Sequence, residues 1–234
     1  MALNDRILVI GDLHAPYNHR DAINFLDAIR KEYKPTRIIS IGDECDFHST
    51  SFHSRDPDLS SAGDELVKAK SVLIPLFKMF PKMDILESNH GSLVMRQALD
   101  KGLSRAFFKG YREILGAPSG WNWHFDITLT LPTGMDCYFH HGKLKNPLKV
   151  SQSMGMSYVG GHFHEDMNIS FWANPKQLNF AMQIGCLVDK DSLALAYARS
   201  NLKRPLLGSA MIIDGMPLLI PMVLDRHKGW NGKL

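Results

Sequence analysis

The first ninety residues contain three short apolar runs separated by amphipathic segments, and this order restricts the fold more than any other feature. The apolar runs cover 6–10, 37–41 and 83–87. Runs of this length that end at glycine or polar residues are typical of buried parallel strands. The segments between them, 22–33 and about 62–80, carry apolar residues at helical spacing. The alternation predicts a parallel sheet covered by helices.

The sequence beyond Pro118 has a different character, because short alternating runs replace the helical spacing. Before it, helices are predicted from Ser92 to Gly102 and from Ser104 to about Leu115. After it, strands are predicted at 121–131 and 137–141, joined by a turn at 132–134, and at 157–160, 167–172, 179–184, 206–213 and 218–223. We expect an α/β fold with two packed mixed sheets flanked by helices, in a single domain that spans residues 1–234.

The composition is that of a soluble globular protein, with 44% hydrophobic and 22% charged residues. The net charge of +3 permits an anionic partner without requiring one. Three widely spaced cysteines with no C-x-x-C pattern favour a reducing compartment. No apolar run approaches membrane-spanning length, and the N-terminus lacks the pattern of a signal peptide. We therefore expect a cytoplasmic protein that does not associate with membranes.

Clusters of polar residues stand where the predicted strands end, which is where open α/β sheets form their sites. The five clusters are Asp12-Leu13-His14, Gly42-Asp43-Glu44-Cys45-Asp46, Asn89-His90, His140-His141-Gly142 and Gly160-Gly161-His162-Phe163-His164. Each cluster alone is weak, since an Asp-x-His pair is more often a turn than a metal site. Together they supply carboxylate oxygen, amide oxygen and imidazole nitrogen, the mixture that Mn²⁺, Fe and Zn²⁺ accept. The set predicts a metal centre.

These clusters resemble the motifs of the calcineurin-like metallophosphoesterase superfamily, whose pattern is D-x-H, G-D-x-x-D, G-N-H-(D/E), H and G-H-x-H in that order. The resemblance covers residues 6 to 165. The chain as a whole also resembles small phosphoesterases encoded by tailed phages. Two positions depart from the family pattern, because Ser88 replaces a glycine and Gly91 replaces an acidic residue. Neither position is usually a metal ligand, so the expected ligand set stands.

The resemblance implies two divalent metal ions, with Mn²⁺ expected and Fe, Zn²⁺ or Ni²⁺ as alternatives. The implied ligands are Asp12, His14 and His164 for the first ion, Asp43 as the bridge, and Asn89, His141 and His162 for the second. His90 would face the phosphate as a catalytic group, and Asp46 would orient it. The family histidine precedes a glycine, which favours His141 over His140 as the ligand.

Physical reasoning agrees with these implied roles. A bridging carboxylate fits between two cations about 3.5–4 Å apart, an arrangement that clamps a phosphate and provides hydroxide near neutral pH. In-line attack requires a proton donor for the leaving oxygen, which suits a histidine. The remaining histidines lack a supporting pattern and are expected at the surface or in the core; they are His19, His48, His53, His124 and His227.

A basic stripe is predicted beside this centre. Arg105, Lys109 and Arg112 would share one face of the helix that follows Ser104, with Phe107, Tyr111, Ile114 and Leu115 buried on the other. The stripe is either a solvated helix face or a surface that tracks phosphates. Lys143, Lys145 and Lys149, which follow His141, favour the second interpretation. Trp121 and Trp123 are expected to pack in the core or at a sheet edge, with base stacking as the alternative.

The expected function is two-metal-dependent hydrolysis of phosphate esters, with a phosphodiester in DNA, RNA or a nucleotide as the preferred substrate, as in a nuclease. One alternative is a phosphomonoesterase that acts on phosphoprotein. Ser/Thr phosphatases of the superfamily carry Asp-Arg-Gly after the second motif, whereas this chain has Asp46-Phe47-His48. Another alternative is a non-catalytic scaffold of the same fold. Scaffolds of this kind usually lack ligands, and here the whole set is present.

Overall fold

The computed structural model describes residues 5–52, 58–192 and 204–234. The strands in this part of the chain are β1 (Arg6–Ile10), β2 (Arg37–Ser40), β3 (Lys82–Leu86), β4 (Gly120–His124), β5 (Ile127–Thr130), β6 (Asp136–His140), β7 (Ser157–Gly160), β8 (Asn168–Ala173), β9 (Leu178–Gln183), β10 (Gly208–Ile213) and β11 (Met216–Pro221). The α-helices are α1 (Ala22–Tyr33), α2 (Ala62–Met79), α3 (Leu93–Asp100), α4 (Tyr111–Leu115) and α5 (Pro147–Met154). None of these helices is long and apolar enough to cross a membrane.

The strands form two mixed sheets. The first has the order β11-β10-β1-β2-β3-β4, and the second has the order β5-β6-β7-β9-β8. Strands β1 to β4 pair in parallel, and β10 joins β1 in the antiparallel direction. In the second sheet β6, β7 and β9 are parallel, and antiparallel β5 and β8 form the edges. The predicted fold class, two mixed sheets flanked by helices, is confirmed.

The core has two parts because both faces of the first sheet are covered. Ile7 and Val9 of β1 face the second sheet, where they pack with Phe139 and Phe180. Leu8 points the other way and packs with residues of α1 and α2. Successive side chains of a strand alternate between faces, so a run that is apolar at every position is buried on both sides. This explains why 6–10 has no polar residue after Arg6.

The two long helices end where their sequences predict. In α1 the buried residues Phe25, Leu26 and Ile29 follow helical spacing, and the helix stops at Lys34, which has a left-handed backbone with φ 47° before Pro35. Ser61 caps α2, because its hydroxyl accepts a hydrogen bond from the Asp64 N–H at 3.2 Å. Pro75 lies inside α2 without dividing it.

The single strand predicted at 121–131 is wrong. The chain changes sheets at 125–126, so that β4 pairs with β3 in the first sheet and β5 pairs with β6 in the second. Trp121 is buried in the helix-covered part of the core, whereas Ile127 is buried between the sheets. A period of two is the same in both strands, and it does not record which sheet each strand joins. The predicted hairpin turn at 132–134 joins β5 to β6, as expected.

The helix predicted from Ser104 to Leu115 is also wrong. A 3₁₀ turn covers Arg105–Phe107, and a separate short helix, α4, begins after Gly110. Gly110 has an extended backbone with φ −61° and ψ 148°, and glycine disfavours the interior of a helix. Phe107 is 77% exposed instead of buried. The basic residues of this segment therefore share no helical face.

Glu65 of α2 ties the loop that follows β2 to the helical layer. The side chain is 1% exposed, and its carboxylate accepts hydrogen bonds from the backbone N–H of His48 at 2.7 Å and of Ser49 at 2.9 Å. We expect Glu65→Ala to lower the free energy of unfolding by about 3 kcal/mol or more, since each buried donor left without its acceptor costs about 1–3 kcal/mol. Urea denaturation measures the loss. Glu32→Ala, on the exposed side of α1, is the matched control, and equal losses in the two variants would contradict this role.

Candidate metal centre

The five polar clusters meet at the carboxyl ends of the two sheets. Asp12 follows β1, Asp43 follows β2 and Asn89 follows β3, while His141 and His162 follow the parallel strands β6 and β7. The register pairs His140 with Gly160, which aligns the ends of β6 and β7. The carboxyl edges of both sheets thus supply side chains to one place, as expected for parallel strands.

Asp43 makes contacts with most of this cluster. Its backbone carbonyl accepts hydrogen bonds from the N–H of Leu13 at 3.1 Å and of His14 at 2.8 Å. Its Oδ1 accepts from the backbone N–H of His90 at 3.0 Å. Its Oδ2 lies 3.4 Å from His14 Nε2 and 3.3 Å from His141 Nε2. The side chain is 1% exposed, so it is held at the floor of the centre by several segments at once.

The first ligand group comprises Asp12, His14, Asp43 and His164, whose ligand atoms lie within 4.8 Å of one another. Asp12 Oδ2 accepts from the backbone N–H of His162 at 2.7 Å and lies 3.1 Å from His164 Nε2. Asp12 Oδ1 is buried without a hydrogen-bond partner. The Nε2 atoms of His14 and His164 face each other at 3.2 Å. Converging nitrogens beside a buried carboxylate oxygen fit a divalent cation, which would satisfy all of them.

The second ligand group comprises Asp43, His141 and His162, also within 4.8 Å. Asn89 Oδ1 lies 2.7 Å from His141 Nε2 and adds an amide oxygen. His141 Nδ1 donates to the Ile41 carbonyl at 2.9 Å, which directs Nε2 toward the centre. Because Asp43 belongs to both groups, the donors fit two adjacent cations that share one carboxylate.

His140 is the last residue of β6 and His141 follows it, and their side chains point to different sides of the sheet. His140 packs against the exposed ring of Phe125, with 5.4 Å between ring centroids, and its Nδ1 accepts from the Gly142 N–H. Burial lowers the pKa of His140 to about 4. Only His141 of this pair contacts the centre, which agrees with the preference drawn from the sequence.

Carboxylates and imidazoles compensate one another's charge in this cluster. Burial alone would raise the pKa of Asp43, but His141, His14 and His90 hold it well below its usual value. Burial alone would lower the pKa of His141, but Asp43 raises it to about 9. The pKa of His162 is lowered, first by burial and then by His141. The imidazoles thus offset the buried carboxylates, and a metal ion bound to them would displace any protons they carry.

Asp46 contacts both His90 and His14. His90 Nδ1 donates to the backbone carbonyl of Asp46. The Asp46 carboxylate lies 2.6 Å from His14 Nδ1 and 3.3 Å from His90 Nδ1. Its closer partner is therefore His14, whose Nδ1–H it fixes so that Nε2 faces the metal centre. His14, Asp46 and His90 also lie within 4.8 Å of one another, and the Nδ1–Oδ1 contact of 2.6 Å joins His14 to Asp46.

Sequence reasoning missed the residues behind the loop that carries Asn89 and His90. Glu44 is buried, its Oε1 accepts from Trp123 Nε1 at 3.1 Å, and burial raises the pKa of Glu44. A Cβ added at Gly91 would lie 3.5 Å from the hydroxyl of Tyr111. Tyr111 therefore lies directly against this loop. Glu44 stands inside the second polar cluster, which is a usable signal, whereas nothing near Tyr111 in the sequence indicates its position.

The other predicted residues lie apart from the ligand groups. Trp121 is fully buried and donates to the Phe80 carbonyl, which confirms a packing role. Lys109 pairs with Glu113 at 3.1 Å, and Arg112 donates to the Ser119 carbonyl at 3.4 Å. Lys145 pairs with Glu165 at 2.6 Å. His53 falls outside the described residues. Arg105, Lys109 and Arg112 share no helical face, so the predicted helical stripe is wrong, and contact of these residues with phosphate stays a prediction.

No protein-family model and no curated protein matches this chain. Solved structures with similar folds include vacuolar protein sorting 29 from Cryptosporidium parvum, with a TM-score of 0.47 and 13% identity over 94% of this chain and 97% of that one. Vps29 from Chaetomium thermophilum aligns with a TM-score of 0.48 and 12% identity over 98% and 94%. YfcE, a phosphoesterase from E. coli, aligns with a TM-score of 0.46 and 12% identity over 88% and 87%. Similarity at this level assigns no chemistry, which depends on the side chains of this chain.

The shared position of Asp43 predicts how metal content changes. We expect Asp43→Asn to lose most of its bound divalent metal, because the change removes a charge from both ligand groups, whereas His162→Ala should retain about half. Elemental analysis after dialysis measures the ions per chain. Asp136→Asn, an exposed carboxylate on β6, is the control and should match wild type. Full metal loading of Asp43→Asn would contradict its place in both groups.

Proposed function

We propose that this chain is a metal-dependent phosphoesterase that hydrolyses phosphodiesters, with Mn²⁺ as the preferred cation. The observation that supports this most strongly is the pair of ligand groups joined by Asp43. The seven proposed ligands are Asp12, His14, Asp43, Asn89, His141, His162 and His164. Two cations bound there would polarise the phosphoryl oxygens and provide hydroxide near neutral pH.

The exposure of the side chains indicates the side from which a substrate can reach the centre. Asp12 and Asp43 are each 1% exposed and form its floor. His90 and His164 have side chains that are 25% and 19% exposed, and His162 lies at the surface. A phosphate must therefore approach from the histidine side. There it meets imidazole groups, while the buried carboxylates stay behind the cations and out of contact with the substrate's charge.

His90 is the group placed to donate a proton to the leaving oxygen. Its Nδ1 is committed to the Asp46 carbonyl, so Nε2 is the ring nitrogen that can carry the transferred proton. The ring also packs edge-on against His14, with 4.6 Å between centroids. These contacts hold the ring beside the ligand groups without making it one of the ligands around Asp43. Leaving-group protonation by a positioned histidine contributes about 10²–10⁴-fold to such reactions.

The charge around the centre favours a diester over a monoester. Within the described residues, the ion pairs formed by Asp12 and Asp43 are with histidines. Arg96 donates to the backbone carbonyl of Asn89 at 3.0 Å and not to a ligand side chain. A phosphomonoester carries up to two negative charges and a diester carries one, so a monoester gains more from an additional cationic side chain. In the described part of the chain, the floor carboxylates pair with histidines and not with lysine or arginine, which supports the singly charged substrate.

Replacing His90 tests whether it acts as a general acid or as a metal ligand. We expect His90→Ala to keep both metal ions and to lose about 10²–10⁴-fold in kcat. The loss should shrink for good leaving groups such as p-nitrophenolate, which need little protonation. Steady-state kinetics across a series of aryl diesters measures this dependence. His140→Ala is the matched control, because it removes a neighbouring histidine that points away from the centre. A loss that is equal for all leaving groups would contradict general-acid catalysis.

The activity itself is tested by turnover with Mn²⁺ added to the purified protein. Bis-p-nitrophenyl phosphate reports diesterase activity, and p-nitrophenyl phosphate and a phosphopeptide report monoesterase activity. Faster hydrolysis of the diester supports the proposal. Preference for the phosphopeptide would favour the phosphoprotein phosphatase, and metal binding without any turnover would favour a scaffold.

A further inference from the structure

The turn that carries Asn89 and His90 departs from the family pattern at both of its ends, at Ser88 and Gly91. In the structure these two residues contact each other. Ser88 is buried, and its hydroxyl oxygen accepts a hydrogen bond from the Gly91 N–H at 3.1 Å. The backbone carbonyl of Ser88 also accepts from the Ser92 N–H at 3.1 Å. The two departures therefore form one local arrangement rather than two independent changes.

Space rather than backbone conformation explains the glycine at position 91. The φ angle of Gly91 lies outside the left-handed region, so a residue with a side chain could adopt the same backbone. A Cβ atom at Gly91 would lie 3.0 Å from Ser88 Oγ, which is closer than the separation of about 3.5 Å at which non-bonded heavy atoms attract each other. The hydroxyl would have to move away from its present position. The serine at 88 thus accounts for the glycine at 91.

The hydrogen bond from Gly91 to Ser88 fixes the backbone of His90 on one side. The Gly91 N–H belongs to the peptide group that follows His90. The His90 N–H belongs to the peptide group before it and donates to Asp43 Oδ1 at 3.0 Å. The His90 carbonyl accepts from the Leu93 N–H at 3.0 Å. The peptide planes on both sides of His90 are thus held, and with them the φ and ψ angles that set the direction in which its side chain leaves the backbone.

The contacts that hold His90 differ in their relation to the metal centre. Asp43 belongs to both ligand groups, so the oxygens that hold the His90 N–H also serve the proposed cations. The Ser88 hydroxyl is bonded to the turn itself. Ser88 therefore holds the backbone of His90 through a contact that does not depend on the ligands, while the Asp46 carbonyl holds the ring at Nδ1.

We infer that Ser88 is a positioning residue that directs His90 toward the leaving oxygen, and this inference rests on the proposed function. Ser88 acts through the Gly91 peptide group rather than on the substrate or the metal ions. A displacement of about 1 Å in a catalytic arrangement can cost about 100-fold in rate. Loss of the Ser88 hydroxyl should therefore impair proton donation by His90 and leave the metal content unchanged.

Ser88→Ala removes the acceptor of the Gly91 N–H, and steady-state kinetics with Mn²⁺ tests the consequence. We expect kcat to fall about 10- to 100-fold for aryl diesters with poor leaving groups and to change little for bis-p-nitrophenyl phosphate. In a His90→Ala background the same change should cost nothing further in kcat, because residues that act through one another are not additive. Gly91→Ala should cause the same loss as Ser88→Ala, and the double variant should lose no more than either.

Ser157→Ala is the matched control, because it removes the same kind of bond elsewhere. Ser157 is fully buried, and its hydroxyl accepts from the Phe180 N–H at 3.1 Å. It begins β7, whose opposite end leads to the ligand His162. Both serine variants lose one buried acceptor, so both should lower the midpoint of urea denaturation. Ser157→Ala should keep the kcat of wild type for every leaving group.

The exchange of the His90 ring proton with water provides a readout that needs no turnover. In the Zn²⁺-loaded protein, NMR measures the exchange rate of the Nδ1–H that donates to the Asp46 carbonyl. We expect Ser88→Ala to speed this exchange by about 2- to 10-fold, the range for loss of one hydrogen bond. Ser157→Ala should exchange this proton at the rate of wild type.

The possible results separate the two hypotheses. If wild type fails to hydrolyse the diesters with Mn²⁺, the proposed function is wrong, and the ring-proton exchange still decides whether Ser88 positions His90. If wild type hydrolyses them, an equal loss of kcat in Ser88→Ala for all leaving groups would overturn the inference and leave the function in place. An additive loss in the His90→Ala background, or unchanged exchange of the ring proton, would overturn it as well.

Discussion

The buried carboxylate of Asp43 is the constraint on which the rest of this site depends. A buried charge without partners would destabilise the fold by several kcal/mol, and Asp43 is compensated by groups from segments far apart in the chain. His14, His90 and His141 lie close to its oxygens, and the backbone of the first motif is bonded to its carbonyl. Each of these segments ends a strand, so the two sheets must pack with their carboxyl edges aligned before the charge is satisfied. The same arrangement makes Asp43 the one ligand common to both groups.

The centre also depends on unusual backbone geometry. Asp43, His14 and His162 have positive φ values of 48°, 53° and 71°, a region that costs a residue with a side chain about 1–2 kcal/mol. Strain of this kind persists where surrounding contacts fix it, and it is common at functional sites. The left-handed conformation turns the backbone sharply after β1, β2 and β7, where these three residues lie.

Two glycines in the motifs lie where the structure leaves no space for a Cβ atom. A Cβ at Gly142 would lie 2.6 Å from the Cβ of His162, and one at Gly161 would lie 2.9 Å from Asp12 Oδ1. Contacts that short would push a ligand out of place. These residues appear in the sequence as part of the histidine motifs, and the structure gives the physical reason: they let the ends of β6 and β7 approach the carboxylates.

The sequence was sufficient for the parts of the molecule that burial controls. Strand β1 and strand β7 lie where their apolar runs predict, and the five clusters converge because parallel strands end at one edge. It was insufficient where the same local pattern fits two arrangements. The alternation at 121–131 is unchanged when the chain passes from one sheet to the other. The helical spacing near Gly110 resembles a continuous helix although the glycine ends it. Asp46 contacts His90, but the closer partner of its carboxylate is His14, and packing rather than a local pattern determines this contact.

The same distinction separates reaction chemistry from substrate choice. The carboxylate ligands are buried, and replacing a residue around them would leave a buried charge or a lone pair without a partner. The residue types and spacing of the ligands are therefore strongly restricted and can be recognised in a sequence. Surface side chains such as Phe125 are more than half exposed, and exposure removes most of the energetic restriction on residue type. The contact of Phe125 with His140 forms because the chain crosses from the first sheet to the second at 125–126, and no local sequence pattern records that crossing. Reaction type is therefore encoded in motifs, whereas the partner is encoded in contacts that only the folded chain displays.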